Sequence, residues 1–135
     1  MGTKDRVLVV DDDLDARETL SEALAQAGYA VELAADGREA LARLAEWPAD
    51  VVVSDVEMGG LDGLALVEAL RERGLSQPVV LMTGLDRPPQ AARGVREAAA
   101  CLKKPMRLDE LIWTIDCALA CNRTSRSMGM ARAQH

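Results

Sequence analysis

Apolar residues along this chain gather in short runs of two kinds, and the two kinds alternate. Arg6–Val10, Ala30–Ala34, Val51–Asp55, Pro78–Met82 and Ala100–Leu102 are brief and bounded by charged or turn-forming residues, which predicts five β-strands. Between them, apolar positions recur at helical spacing. Ala16, Leu20, Ala23, Leu24 and Ala27 form one stripe that Gly28 stops; Ala40, Leu41 and Leu44 form a second, after an Asp36-Gly37 turn and before Pro48. A third helix is expected from about Leu64 to Arg73, with Leu66, Val67 and Leu70 on one face and Gly74 behind it. Leu108, Leu111, Ile112, Ile115 and Leu119 mark a strong final helix. The stretch after the fourth strand is weaker: Pro88-Pro89 is an awkward entry, Ala91, Ala92, Val95 and Ala98 give a thin stripe, and Gly94 costs about 1 kcal/mol relative to alanine. A short, mobile fourth helix is expected there.

The run Val51-Val52-Val53-Ser54-Asp55 stays apolar until its end, as a strand buried on both faces requires. It should deliver Asp55 to the edge of the sheet on a rigid backbone, open to solvent. Five strand-helix units imply parallel pairing through right-handed crossovers. The expected fold is α/β, a doubly wound five-stranded parallel sheet with strand order 2-1-3-4-5. A chain of 135 residues buries one core, so one domain is expected over residues 4–121, with residues 122–135 as a basic, disordered C-terminal tail.

Composition narrows the chemistry. Phe is absent and aromatics make up 2% of residues, so the core must be packed from Val, Leu, Ile and Ala. The sole histidine is the terminal His135, which removes histidine-based catalysis and most zinc sites. No apolar run approaches a membrane span, and Met1–Arg6 is too short and charged for a signal peptide; with three cysteines read as reduced thiols, a cytoplasmic location is expected. The net charge is -6, and Arg123, Arg126 and Arg132 all lie in residues 122–135, so the body is more acidic than the total. An acidic body argues against direct nucleic-acid binding by the domain.

In a 2-1-3-4-5 sheet the carboxyl ends of strands one and three adjoin at the switch point, where ligands gather. The first strand ends in Asp11-Asp12-Asp13, the third in Asp55, the fourth before Thr83-Gly84 and the fifth before Lys104-Pro105. Carboxylates crowded together repel and are relieved by a divalent cation, and an all-oxygen donor set suits Mg2+. A cation beside a carboxylate nucleophile fits phosphoryl transfer, with Thr83 as a hydrogen-bond donor to a phosphoryl oxygen and Lys104 as counter-charge. Gly84 leaves room for the approaching group.

This constellation resembles the receiver domain of response regulators in two-component signal transduction. The likeness covers Lys4 to Cys121 and rests on Val9-Val10-Asp11-Asp12-Asp13, Asp55 with Met58 three residues on, Gly63, Thr83-Gly84 and Lys104-Pro105. It implies the flavodoxin-like receiver fold and an Asp55 that accepts a phosphoryl group from a histidine kinase or phosphotransfer protein. It further implies direct Mg2+ ligation by Asp12, Asp55 and the backbone carbonyl of Glu57, with Asp11 acting through water. Thr83 and Lys104 would then close on the phosphate, and the face of the fourth helix, fifth strand and last helix would favour a downstream protein target or a homodimer. Two residues depart from the pattern. Gly59 stands where proline is usual, and Cys101 stands where an aromatic switch residue is usual.

Plainer roles compete at several positions. Asp13 reads as a helix cap, Lys103 as a surface charge, Cys117 and Cys121 as small core residues, and Trp113 as half-buried packing. A phosphatase of the haloacid-dehalogenase type would use Asp11 as nucleophile and Asp13 as acid, but no acidic pair follows Lys104 and Asp55 would be idle. A pseudo-receiver that is never phosphorylated would be expected to lack an acid or the lysine, and all are present. The expected role is a phosphoacceptor switch that catalyses only its own phosphoryl transfer and dephosphorylation, not a turnover enzyme.

Overall fold

The computed structural model describes residues 4–58, 61–84 and 97–133, with residues 124–133 as backbone. Five strands, β1 (Arg6–Val10), β2 (Ala30–Ala34), β3 (Val51–Asp55), β4 (Val79–Thr83) and β5 (Ala100–Lys103), pair in the order β2-β1-β3-β4-β5. Every pairing is parallel. Helices α1 (Leu14–Gln26), α2 (Gly37–Glu46), α3 (Gly63–Glu72) and a C-terminal helix (Leu108–Ala133) cover the two faces. The expected fold class and strand order are both found.

Alternation along the strands assigns residues to two cores. Leu8, Val10 and Val52 face one way and pack with Leu44, Leu66 and Leu70 of α2 and α3. Val7, Val9, Val51 and Val53 face the other way, toward Leu24 of α1 and Leu111 and Ile115 of the C-terminal helix. All five β3 residues are buried, as expected for a central parallel strand. Each fully buried leucine contributes about 1.5–3 kcal/mol, so aliphatic side chains sustain the core without phenylalanine. Tyr29, the single tyrosine, donates its hydroxyl proton to Asp116 and ties the start of β2 to the C-terminal helix. Burial and that carboxylate push the phenol up from its ordinary pKa.

Helix starts follow the capping chemistry in the sequence. Asp13, Asp36 and Asp62 are N-caps, and their carboxylates accept from the backbone N–H of Asp15, Glu39 and Ala65. Asp36-Gly37 is therefore the cap and first residue of α2 rather than a separate turn. Gly28 and Gly74 take positive φ, +104° and +75°, where each helix gives way to the next strand.

Three expectations change. β4 extends through Thr83, because Thr83 still pairs with Lys103 of β5. Trp113 is 68% exposed, and Leu108 and Cys121 are also exposed, since the buried stripe of the last helix runs through Leu111, Ile115, Ala118 and Leu119. The C-terminal helix continues to Ala133, through most of the stretch read as a tail. Residues 122–128 contain neither proline nor glycine to stop it. The proposed fourth helix and the Gly59 position lie outside the described residues.

Candidate functional site

Register brings the four strand ends to one edge. Val10 lies opposite Ser54, Asp55 opposite Met82, and Thr83 opposite Lys103, so Asp11, Asp55, Thr83 and Lys104 emerge side by side. Asp11 is held by its neighbours: its N–H donates to the Ala34 carbonyl at 3.2 Å, and its own carbonyl accepts from Arg17 Nη1 at 2.8 Å. Lys104 N–H donates to the Thr83 carbonyl at 2.7 Å, which extends the β4–β5 ladder by one residue and fixes the base of its side chain. The Lys104-Pro105 peptide is cis.

β3 and α3 meet closely behind Asp55. Gly63 N–H donates to the Val56 carbonyl at 3.2 Å, and a Cβ at Gly63 would lie 2.5 Å from the Asp55 carbonyl oxygen. Glycine is required there so that α3 can pack against the strand end carrying the carboxylate.

One carboxylate oxygen from each of Asp11, Asp12 and Asp55 lies within 4.8 Å of the others. Asp12 is exposed, whereas Asp11 and Asp55 are 3% and 6% exposed. Asp55 is thus less open than the sequence suggested, because the strand end is roofed by its neighbours. Lys104 Nζ donates to Asp55 Oδ2 at 2.9 Å, while Asp55 Oδ1 is buried with no hydrogen-bond partner. Burial raises the Asp11 pKa, the Asp13 N–H hydrogen bond on Oδ1 opposes this, and the charges of Asp55 and Asp12 add to the rise. Burial by itself would lower Lys104, but the hydrogen bond to Asp55 and the carboxylates of Asp55, Asp11 and Glu57 lift it above its ordinary value. This donor set fits a hard divalent cation: three carboxylates, oxygen only, one buried oxygen lacking any partner.

Thr83 is 1% exposed, and its hydroxyl donates to Glu57 Oε2 at 2.9 Å. Gly84 N–H donates to Glu57 Oε1 at 2.7 Å. The Glu57 side chain therefore bridges the end of β4; the sequence places Glu57 beside the site, at the entry of attacking water together with Leu85, but does not reveal this contact with Thr83 and Gly84. A Cβ on Gly84 would sit 3.5 Å from the same carboxylate, an ordinary contact, so crowding does not demand glycine there. Asp13 is engaged as the α1 cap, its Oδ1 accepting from Asp15 N–H at 3.0 Å. Cys101 is half-buried against the α2–α3 core, and burial, together with the charge of Glu57, raises its thiol pKa.

A parallel 2-1-3-4-5 sheet with this acidic edge, threonine and lysine defines a class of signalling domain. The chain belongs to the response regulator receiver domain family, whose profile matches residues 7–116. Among curated proteins it is similar to the response regulator MprA of Mycolicibacterium vanbaalenii, 44% identical over 108 residues, covering 79% of this chain and 47% of that protein. Among solved structures it is similar to the receiver domain of the Francisella response regulator 1452, with a TM-score of 0.79 and 30% identity over 87% of this chain and 98% of that one. The chemotaxis response regulator CheY4 of Vibrio cholerae superposes with a TM-score of 0.77 at 36% identity, covering 86% and 99%. The chain spans about half the length of the curated relatives it matches.

Proposed function

We propose that this domain is a phosphorylatable switch in which Asp55 accepts a phosphoryl group from a phosphohistidine on a histidine kinase or phosphotransfer protein. The observation that carries the reading is the Asp55 carboxylate, paired with Lys104 at 2.9 Å and sharing its strand edge with Asp11, Asp12 and Thr83. An Asp55 oxygen forms the new O–P bond as the P–N bond of the donor breaks, and the imidazole nitrogen leaves with the electron pair. Lys104 balances charge on the carboxylate and then on the phosphoryl oxygens, and the Thr83 hydroxyl donates to one of those oxygens. Asp12, Asp55 and the Glu57 carbonyl would hold Mg2+, with Asp11 acting through water. When bound, that ion neutralises the charge gathering between acceptor and phosphoryl group.

An open groove of about 810 Å³ borders the site, lined in part by Asp11, Ala16, Leu20, Lys104, Pro105 and Leu108. Its mixture of apolar walls and an acidic end suits a partner helix that brings a phosphohistidine to Asp55. Phosphorylation adds roughly two negative charges at this edge and redistributes the interactions of Thr83 and Lys104. The change would reach a downstream protein or a second copy through the face that includes β5 and the C-terminal helix. Residues 4–121 constitute the switching unit in this reading. It is not a turnover enzyme, and it acts in the cytoplasm; among the described residues no helix is long and apolar enough to cross a membrane.

The test is incubation with Mg2+ and a small acyl phosphate, read by intact mass. Wild type should gain one phosphoryl group and Asp55→Asn should gain none. An unchanged wild-type mass, or equal gain in Asp55→Asn, would refute the proposal.

A further inference from the structure

Two hydrogen-bond donors at the end of β4, the strand beside the one that carries Asp55, are already engaged by a side chain of this protein. Glu57 Oε2 accepts from the Thr83 hydroxyl at 2.9 Å and Oε1 accepts from Gly84 N–H at 2.7 Å. Two oxygens of one anion thus take a hydroxyl and a backbone amide, the kind of donors a phosphoryl group uses. Glu57 lies two residues beyond Asp55, on the segment leaving β3, and Thr83 and Gly84 end the neighbouring β4. Strand pairing therefore sets the reach of the carboxylate, and Val56 N–H donating to the Met82 carbonyl at 2.8 Å holds the two segments together up to the residue before it.

We infer that the Glu57 carboxylate is an internal competitor for the phosphoryl group, a latch that holds Thr83 and Gly84 until the phosphoryl oxygens displace it. The inference rests on the phosphoacceptor reading and adds a residue that sets how readily the switch is filled. Two costs oppose entry of the phosphoryl group. The hydrogen bonds to Glu57 must be exchanged, and the displaced carboxylate places a like charge beside the incoming anion. Glu57 is a positioning residue here, since it acts through Thr83 and Gly84 rather than on the phosphorus atom. Its backbone carbonyl, the proposed cation ligand, is retained when the side chain is changed.

The probe is beryllofluoride, a phosphoryl mimic, titrated at saturating Mg2+ into wild type, Glu57→Gln and Glu57→Ala. The amide resonance of Gly84 is followed by NMR alongside. Glu57→Ala should bind beryllofluoride at least about tenfold more tightly than wild type, equivalent to about 1.4 kcal/mol. Glu57→Gln should fall between the two, because its amide oxygen can still take one donor while the charge is gone. Without beryllofluoride, the Gly84 amide proton should move upfield in Glu57→Ala, as it loses a charge-assisted hydrogen bond. On adding beryllofluoride to wild type, the same resonance should report exchange of one acceptor for another.

Equal gains in Glu57→Gln and Glu57→Ala with an unmoved Gly84 resonance would mean that charge acts without a latch, and would overturn the inference. Equal affinity in all three proteins would overturn it too, while leaving the phosphoacceptor reading intact. Absence of binding in all three would refute that reading and the latch with it. Binding in Glu57→Ala with none in wild type would be the strongest support for the latch.

Discussion

Asp11→Asn should stabilise the cation-free protein while greatly weakening its response to a divalent cation. Asp11 is 3% exposed, and its carboxylate shares a 4.8 Å cluster with those of Asp12 and Asp55. At that separation and an effective dielectric near 20, each like-charge pair is unfavourable by about 3.5 kcal/mol before compensation. Lys104 offsets much of this, and its attraction to Asp11 is lost in the variant. Asparagine keeps an oxygen to accept from Asp13 N–H, a bond of 3.0 Å in the native protein, so the local loop need not change. The balance is a gain of about 1–2 kcal/mol, or roughly 3–8 °C in Tm for a domain of this size.

The pH dependence carries a definite sign. The folded-state pKa of Asp11 is raised above the ordinary carboxyl value of 3.8, so the native state binds more protons than the unfolded state between the two values. Stability contributed by this group falls as pH rises from 3.8 through the raised value, and that part of the slope should vanish in Asp11→Asn. Thermal melts with chelator and then with excess Mg2+ form the assay. A cation at ten times its dissociation constant stabilises wild type by about 1.4 kcal/mol. The variant should gain less than a third of that. A variant less stable than wild type in chelator, or one still stabilised as strongly by Mg2+, would refute the reasoning.

Two further outcomes test how the fold supports the site. Gly63→Ala should cost about 1–3 kcal/mol in urea unfolding and slow acyl-phosphate labelling of Asp55, because its Cβ would meet the Asp55 carbonyl oxygen at 2.5 Å; unchanged stability and labelling would show that α3 can shift away freely. Arg71→Met should cost about 2 kcal/mol without altering labelling, since the guanidinium donates to the carbonyls of Leu75 at 2.8 Å and Gln77 at 2.9 Å, far along the chain from the acidic edge; a loss below 0.5 kcal/mol in the urea midpoint analysis, about the level of an ordinary surface change, would show that water satisfies those carbonyls.

The chain's pattern determined the five strands, the parallel order and the acids at the strand ends. These features depend on local period, on caps such as Asp13, Asp36 and Asp62, and on the short list of topologies open to alternating strands and helices. The placement of the site residues was legible for the same reason: a residue that ends or directly follows a strand must lie at the edge of the sheet. Asp55, Thr83 and Lys104 could therefore be placed together before any distance was known. Exposure on the last helix was misread at Trp113, Leu108 and Cys121, because a 3.6-residue period tolerates rotation of the buried stripe and only packing against β3, β4 and β5 sets its angle.

Tertiary structure decided what the carboxylates do to one another. It buried Asp55 to 6% exposure, left its Oδ1 without a partner, and aligned β3 with β4 so that Glu57 spans to Thr83 and Gly84. No sequence period encodes such a contact, because it depends on the register between two strands and on where each strand stops. The sequence determined which groups meet at the edge; the register determined that one of the acids, Glu57, holds Thr83 and Gly84.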